Sequence, residues 1–396
     1  MITFAIDPGT LAEDSQYAAK RAAKGEGPGL ASRFRADEPI DDVDLATLLL
    51  SADVATDELW EIARASRPAG VPKVETFSPL YFTNECDGEC KMCGMRRENR
   101  ALKRETVDAA TICDQLDVLY RRGIRGVAVL AGEYRLGPQR DAMLARAAEA
   151  MRDAFERGFA HVLINVGSLE AQEYDRFLAG IPRSPDCVIS PQITMCTFQE
   201  TYHPRIYSKF MGSRPDNPRS DFDRRLVNFD RAVDAGLRSA NPGILLGLNS
   251  DIGYELLALC AHVRHLEARG MQVYISLPRL RKASGAEHFA GLSDDDLVRM
   301  VSLLTARFPA AKVVISTREA PEIQRRLLPI LGVLTAGSPG VAPYGEADAR
   351  FEIEASQFEV ADQRPLEVIL GECLASGAII DGYEPAEKMS PAVSAT

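Results

Sequence analysis

A chain of 396 residues with 46% hydrophobic and 26% charged residues has ample apolar surface for a large core, which sets disorder aside. Its 46 lysines and arginines against 57 acids leave a net charge of −11, the wrong sign for gripping nucleic acid or an anionic membrane, so a small-molecule partner is expected. The first residues, MITFAIDPGTLAEDSQYA, lack a basic segment followed by an apolar run, and no apolar stretch reaches the roughly 18 residues that cross a bilayer, so the expected location is cytoplasmic.

Residues 1–73 read as a helical N-terminal extension, with helix-like patches at 44–50 and 57–65 and breaks such as GEGPG at 25–29. From 74 to 380 short β-branched or apolar runs alternate with longer amphipathic segments, the texture of repeated βα units. The runs are ETFSPLYF (75–82), GVAVLAG (126–132), HVLINVGS (161–168), VISPQITM (188–195), GILLGLN (243–249), VYISLP (273–278), VVISTRE (313–319) and GVLTAGS (332–338). Between and after them lie helix candidates at 106–122, 140–157, 221–235, 253–269, 293–307, 321–331 and 366–375. Gly123, Gly158, Gly236 and Gly270 stand where left-handed C-caps belong. Eight strands with helices between them predict an α/β fold, a (β/α)8 TIM-type barrel, although six units with extra elements would write nearly the same string. The tail 381–396 lacks an apolar face and reads as loose.

Eight cysteines in a reducing compartment point to metal or catalysis before disulfides. Cys113, Cys187, Cys196, Cys260 and Cys373 are scattered among apolar neighbours and read as small buried hydrophobes. Cys86, Cys90 and Cys93 form CDGECKMC, or C-x3-C-x2-C, a few residues past the first strand, which in a parallel barrel is the catalytic face. Three such thiolates can hold three corners of a [4Fe–4S] cubane and leave the fourth iron open to an exogenous ligand, for instance the amino and carboxylate groups of a methionine. A zinc site would need a fourth Cys or His at suitable spacing, and the next in sequence are Cys113, inside a helix candidate, and His161.

With this cysteine motif, the segments YFTNECDGECKMCGMR, LAGEYR, FQETY, DFDRRLVNFDRAVDAG, NPGILLGL and STRE, in this order, resemble the radical S-adenosylmethionine (SAM) superfamily. Within it they resemble the ThiH-like branch that fragments aromatic amino acids, in particular the tryptophan lyases that make 3-methyl-2-indolic acid for thiopeptide antibiotics. The likeness runs from about residue 70 to about 380. It implies a [4Fe–4S] cluster on Cys86, Cys90 and Cys93 that cleaves S-adenosyl-L-methionine to a 5′-deoxyadenosyl radical. It further implies a carbon–carbon lyase that rearranges L-tryptophan, and a reducing partner such as flavodoxin or ferredoxin.

The resemblance also distributes roles. Met92 falls where the superfamily often packs an aromatic residue near adenine. Ala131, Gly132 and Glu133 match a Gly-Gly-Glu stretch that meets the methionine amino group, its first glycine being alanine here. Gln199 and Glu200 match a segment reaching the SAM ribose or carboxylate. Read without the family, Gly132 is a turn glycine and Gln199 with Glu200 a solvated loop.

Arg318 ends the seventh run, where its planar fork could clamp a substrate carboxylate, or equally pair with Glu319. The family's carboxylate-binding arginine falls at this position, and by the same likeness Tyr81 and Thr335 border the substrate. Arg224, Arg225, Arg279 and Arg281 are further cations, any of which could hold the SAM carboxylate. The five histidines show no ligand spacing and are assigned to structure. The rival readings are a lyase of tyrosine or another aromatic amino acid, and a non-catalytic iron–sulfur or zinc protein that binds a partner through its rim.

Overall fold

The computed structural model describes residues 3–189, 192–286, 291–345 and 352–385. Its ten strands are β1 (Lys73–Glu75), β2 (Ser78–Tyr81), β3 (Gly126–Leu130), β4 (His161–Asn165), β5 (Gln192–Cys196), β6 (Ser239–Asn241), β7 (Gln272–Ser276), β8 (Lys312–Ser316), β9 (Val333–Thr335) and β10 (Ile379–Asp381). All pair in parallel, and from β2 to β9 neighbours follow chain order. The first expected run is split: β1 pairs with β9 while β2, just beyond it, pairs with β3, so the sheet curls back on itself. Thr76 Oγ1 donates to the Leu334 carbonyl at 2.8 Å and Ser78 Oγ to that of Ala336 at 2.9 Å, stitching the seam. The result is the expected TIM-type α/β barrel, with β10 added beside β1.

Because helices cover the outside and side chains fill the inside, the strands are apolar on both faces. Along β3, Val127 and Val129 join the outer core, whereas Ala128 joins Phe77, Leu163, Tyr274, Val314 and Val333 within the barrel. Helices Ala109–Arg121, Pro138–Glu156, Ile252–Ala268, Asp294–Arg307 and Leu366–Ala375 lie within a few residues of their expected spans. Gly123, Gly158, Gly236 and Gly270 end helical segments with φ of +86°, +90°, +97° and +75°, a conformation that penalises any side chain.

Three expectations shift. GILLGLN forms no strand: β6 is Ser-Ala-Asn at 239–241, Pro242 has no N–H to continue it, and beyond it Gly243 and Leu246 make only isolated bridges. The run at 188–195 becomes a strand only from Gln192, and residues 190–191 lie outside the described residues. The candidate helix 221–235 divides into Phe222–Leu226 and Asn228–Asp234. There the buried Asn228 side chain donates to Thr197 Oγ1 and accepts from the Leu169 N–H.

The N-terminal segment forms α1 (Pro8–Ala23), α2 (Gly27–Arg35), α3 (Asp42–Leu50) and α4 (Thr56–Ser66). GEGPG, read as a break, starts α2, since Pro28 occupies a first turn in which no N–H partner is needed. Buried Arg299, on the barrel helix Asp294–Arg307, donates to the carbonyls of Leu49, Val54 and Ser51 at 3.0, 2.6 and 2.8 Å and so ties the end of α3 to the barrel. At the other terminus the Glu384 N–H donates to the Gly123 carbonyl, and residues 386–396 of the tail lie outside the described residues. No helix among the described residues is long and apolar enough to cross a membrane.

Candidate active site

Parallel closure brings the last residues of β2 to β9 to one rim, from Tyr81 of β2 and Asn165 of β4 to Ser316 of β8 and Thr335 of β9. They enclose a cavity of about 890 Å³ counted out to its mouth. Its floor is the apolar barrel filling of Phe77, Leu163 and Val314. A second, smaller cavity of about 410 Å³ lies beside it, walled by Cys86, Cys90 and Cys93, by Ala131, Gly132 and Glu133, and by Arg219. Asn165 borders both, so the two are contiguous.

The cysteine loop is irregular and held by backbone contacts. Lys91 N–H donates to the Phe210 carbonyl and Arg97 N–H to that of Gly88, both at 2.9 Å. A Cβ on Gly88 would sit 3.2 Å from Cys86 Sγ and 3.7 Å from Cys90 Sγ, which places the glycine between two of the sulfurs. Burial pushes all three thiols up to about 11, so each keeps its proton until a metal replaces it.

Gly132 is no turn glycine. A Cβ there would fall 2.0 Å from the Glu85 carbonyl oxygen and 2.6 Å from Cys86 Cβ, so the strand-end backbone approaches the cysteine loop as closely as only glycine allows. The Glu133 N–H faces Cys86 Sγ at 3.4 Å. The Glu133 carboxylate is buried, paired with Arg225 at 2.8 Å and accepting the Ser168 N–H at 3.1 Å. Gly167 leaves room for it, since a Cβ there would lie 2.4 Å from its carboxyl carbon.

The remaining expected residues separate into those at the cavities and those behind them. Arg318, Tyr81 and Thr335 all line the large cavity. Met92 packs under the loop with Cys90, Leu245 and Leu248, and Met95 lines the smaller cavity. Gln199 is buried and turned toward the Phe222 carbonyl at 3.5 Å. Glu200, with φ +69°, is paired with Arg219 at 2.8 Å. The four arginines considered for SAM are already engaged: Arg224 with Glu170, Arg225 with Glu133, Arg279 and Arg281 with Glu319. Since Glu319 faces those two, it leaves Arg318 without a carboxylate within 4.0 Å among the described residues. Arg318 Nη1 donates to the Arg279 carbonyl at 3.2 Å, and burial makes its charge costly, while Tyr81 and Glu200 favour that charge.

Sequence reasoning passed over several residues. Arg219, from the irregular stretch between helices Pro204–Met211 and Phe222–Leu226, lines the cysteine cavity. Cys196, read as filler, ends β5 in the wall of the large cavity with its thiol donating to Asn241 Oδ1 at 3.0 Å. Phe358 and Val360, from the segment 352–362, also wall that cavity. Position at a strand end could have flagged Cys196; segments without periodicity gave no signal for Arg219 or Phe358.

No protein-family model matches the chain. Over 311 residues it is 27% identical to 2-iminoacetate synthase of Escherichia coli (strain K12), covering 77% of this chain and 76% of that protein. It is 28% identical to the 2-iminoacetate synthase of Salmonella typhimurium over 342 residues, 84% of each. The fold superposes on a crystal structure of HydG, a maturase of the [FeFe]-hydrogenase, with a TM-score of 0.76, 24% identity, and coverage of 94% of this chain and 79% of that one. For HydG of Carboxydothermus hydrogenoformans the TM-score is 0.79 at 22% identity, covering 97% and 87%. Methylornithine synthase, PylB, gives 0.67 at 18%, covering 91% and 98%.

The homologues are ThiH-like and HydG-like radical SAM enzymes. Radical SAM enzymes use a [4Fe–4S] cluster and S-adenosylmethionine, and the residues present here fit both. Among the described residues no three His, Cys, Asp or Glu side chains converge as the ligands of a single ion do. The three sulfurs instead stand around a cavity, as a cubane with one thiolate per corner requires. Two buried polar atoms close to Cys90, the Tyr207 hydroxyl and Arg219 Nε, have no hydrogen-bond partner among the described residues. Such atoms suit a polar ligand seated beside the cluster.

Proposed function

We propose that the chain is a radical SAM carbon–carbon lyase that rearranges L-tryptophan to 3-methyl-2-indolic acid. The observation that carries the substrate class is Arg318: a guanidinium turned into a largely apolar cavity, without a carboxylate partner among the described residues, costs free energy that an amino acid's carboxylate would offset. When bound at Cys86, Cys90 and Cys93, the cluster supplies one electron to SAM, which yields methionine and the 5′-deoxyadenosyl radical. The electron comes from a reducing partner such as flavodoxin or ferredoxin.

The chain's residues then position and enclose. The close backbone at Ala131, Gly132 and Glu133 receives the methionine end of SAM, with the Arg219–Glu200 pair beside it. Asn165 borders both cavities, so SAM and substrate meet across it. Arg318 clamps the substrate carboxylate by its planar fork and keeps hold of the carboxyl fragment while that fragment moves to indole C2. Tyr81 walls the side nearest the cluster, and Thr335 offers a hydroxyl at the end of β9. The apolar floor of Phe77, Leu163 and Val314 suits a fused aromatic ring such as that of tryptophan.

The test is anaerobic reconstitution with iron and sulfide, followed by SAM, dithionite and each aromatic amino acid in turn, with products read by mass spectrometry. Deoxyadenosine should rise with tryptophan alongside 3-methyl-2-indolic acid and barely respond to tyrosine. A stronger response to tyrosine would transfer the chain to the tyrosine-cleaving reading. One zinc per chain without sulfide would remove the enzyme altogether.

A further inference from the structure

Gln357 belongs to the segment 352–362, which contributes Phe358 and Val360 to the wall of the large cavity. Its backbone carbonyl accepts the Gly94 N–H at 2.9 Å, one residue beyond Cys93. A Cβ on Gly94 would lie 2.8 Å from the Ser356 carbonyl oxygen and 3.0 Å from that of Gln357, so a glycine there lets the two backbones meet. The Gln357 side chain links one lining residue of each cavity: Nε2 donates to Cys93 Sγ at 3.6 Å, and Oε1 accepts from the Tyr81 hydroxyl at 2.7 Å. A thiolate can only accept, so the amide nitrogen must face Cys93 and the amide oxygen must face Tyr81. Tyr81 in turn lines the large cavity and shares with Met95 and Leu102 an apolar cluster against which Cys86 and Cys93 pack.

We propose that Gln357 is a positioning residue that raises the reduction potential of the cluster by donating to the Cys93 sulfur, with Tyr81 holding its amide in the donating orientation. The inference rests on the reading of Cys86, Cys90 and Cys93 as cluster ligands. Reduction adds negative charge to the cluster and its thiolates, and a hydrogen bond aimed at a thiolate stabilises the electron-rich state more than the electron-poor one. Removing the donor therefore makes the cluster harder to reduce.

The experiment is a redox titration followed by electron paramagnetic resonance, on the full chain reconstituted anaerobically, without substrate, alongside iron and sulfide analysis. Gln357→Leu should keep the iron and sulfide content of the unmodified chain, because the Gly94 contact is made by backbone. Its reduction equilibrium should fall about tenfold, a shift of ~59 mV for one electron. Gln357→Glu should fall further, having lost the donor and gained a charge. Tyr81→Phe should shift the same way by less, since the amide remains but is free to turn. Unchanged potentials in the Leu and Glu variants would overturn the proposal, and so would loss of the cluster in both, which would make Gln357 a scaffold residue. Failure of the unmodified chain to take up iron and sulfide is a different result and would overturn the cluster reading itself.

Discussion

The guanidinium of Arg318 lies over the ring of Phe358, its Cζ 3.3 Å from the ring centroid. Phe358 thus holds the cation in place without neutralising it, as an arginine that receives an anionic substrate needs. Replacing Phe358 with Leu should weaken substrate binding about tenfold, in line with ~1–2 kcal/mol for a desolvated cation–π contact, and leave SAM binding unchanged. Arg318→Lys keeps the charge and loses the fork. It should continue to cleave SAM with less 3-methyl-2-indolic acid per deoxyadenosine, since misplacement by about 1 Å can cost on the order of a hundredfold. Product ratio and melting temperature measured on the same sample separate this role from a structural one.

With Cys86, Cys90 and Cys93 as the proposed cluster ligands, alanine at any of them should abolish SAM cleavage and lower the iron content, because one corner of the cluster would lose its thiolate. Alanine at Cys113, whose thiol lies 3.3 Å from Asp153 Oδ2, should change neither. Iron and sulfide analysis with a deoxyadenosine assay checks both. A Cys90→Ala protein that still made deoxyadenosine at the normal rate would remove the motif from the chemistry.

Gly132→Ala forces a methyl group into the Glu85 carbonyl and Cys86, and neither backbone can swing away. We expect a loss of ~1–3 kcal/mol of stability together with poorer cluster uptake, read by thermal melting and iron content. Gly371 is the contrast. It lies inside the helix Leu366–Ala375, where an added Cβ would meet nothing within 4 Å, so Gly371→Ala should stabilise by up to ~1 kcal/mol.

At the end of the barrel opposite the cysteines, the Glu75 carboxylate meets His161 Nδ1 at 2.5 Å, Lys312 Nζ at 2.6 Å and the Tyr274 hydroxyl at 2.9 Å. Burial opposes its ionisation, but the His161 hydrogen bond and charge and the Lys312 ammonium outweigh burial and hold it at about 2. An unfolded glutamate titrates at about 4.3, so this depressed carboxyl contributes stability that is complete above that pH and is lost as pH falls toward 2. The contribution is on the order of 3 kcal/mol. Glu75→Gln should therefore be less stable at neutral pH and show a shallower loss between about pH 5 and 2, measured by denaturant unfolding across that range.

The barrel was legible because strand and helix periodicity are local properties of the chain. Runs such as KVVIS and glycine caps such as Gly123 and Gly270 mark their elements without reference to anything distant. The cysteine motif was legible for the same reason, since its three ligands lie close together in one short loop. The split of the first strand, the end of β6 at Pro242 and the short helices Ala171–Phe177 and Pro204–Met211 were not, because partners far along the chain decide them.

Sequence by itself determined the class of fold, the three clustered cysteines and, through resemblance, the choice of Tyr81 and Thr335, which end β2 and β9, and of Arg318, in the turn two residues past β8. Only the tertiary structure decided which cations were free. Arg219, Arg224, Arg225, Arg279 and Arg281 are shared among Glu133, Glu170, Glu200 and Glu319, and these pairings join side chains up to 92 positions apart, as with Arg225 and Glu133. Likewise only folding brought Gln357 to Cys93 and Tyr81, 264 and 276 positions away. Hydrogen bonds and ion pairs act over a few ångströms of space, whereas periodicity acts along the chain, so the elements could be read in sequence order and the electrostatics of the site could not.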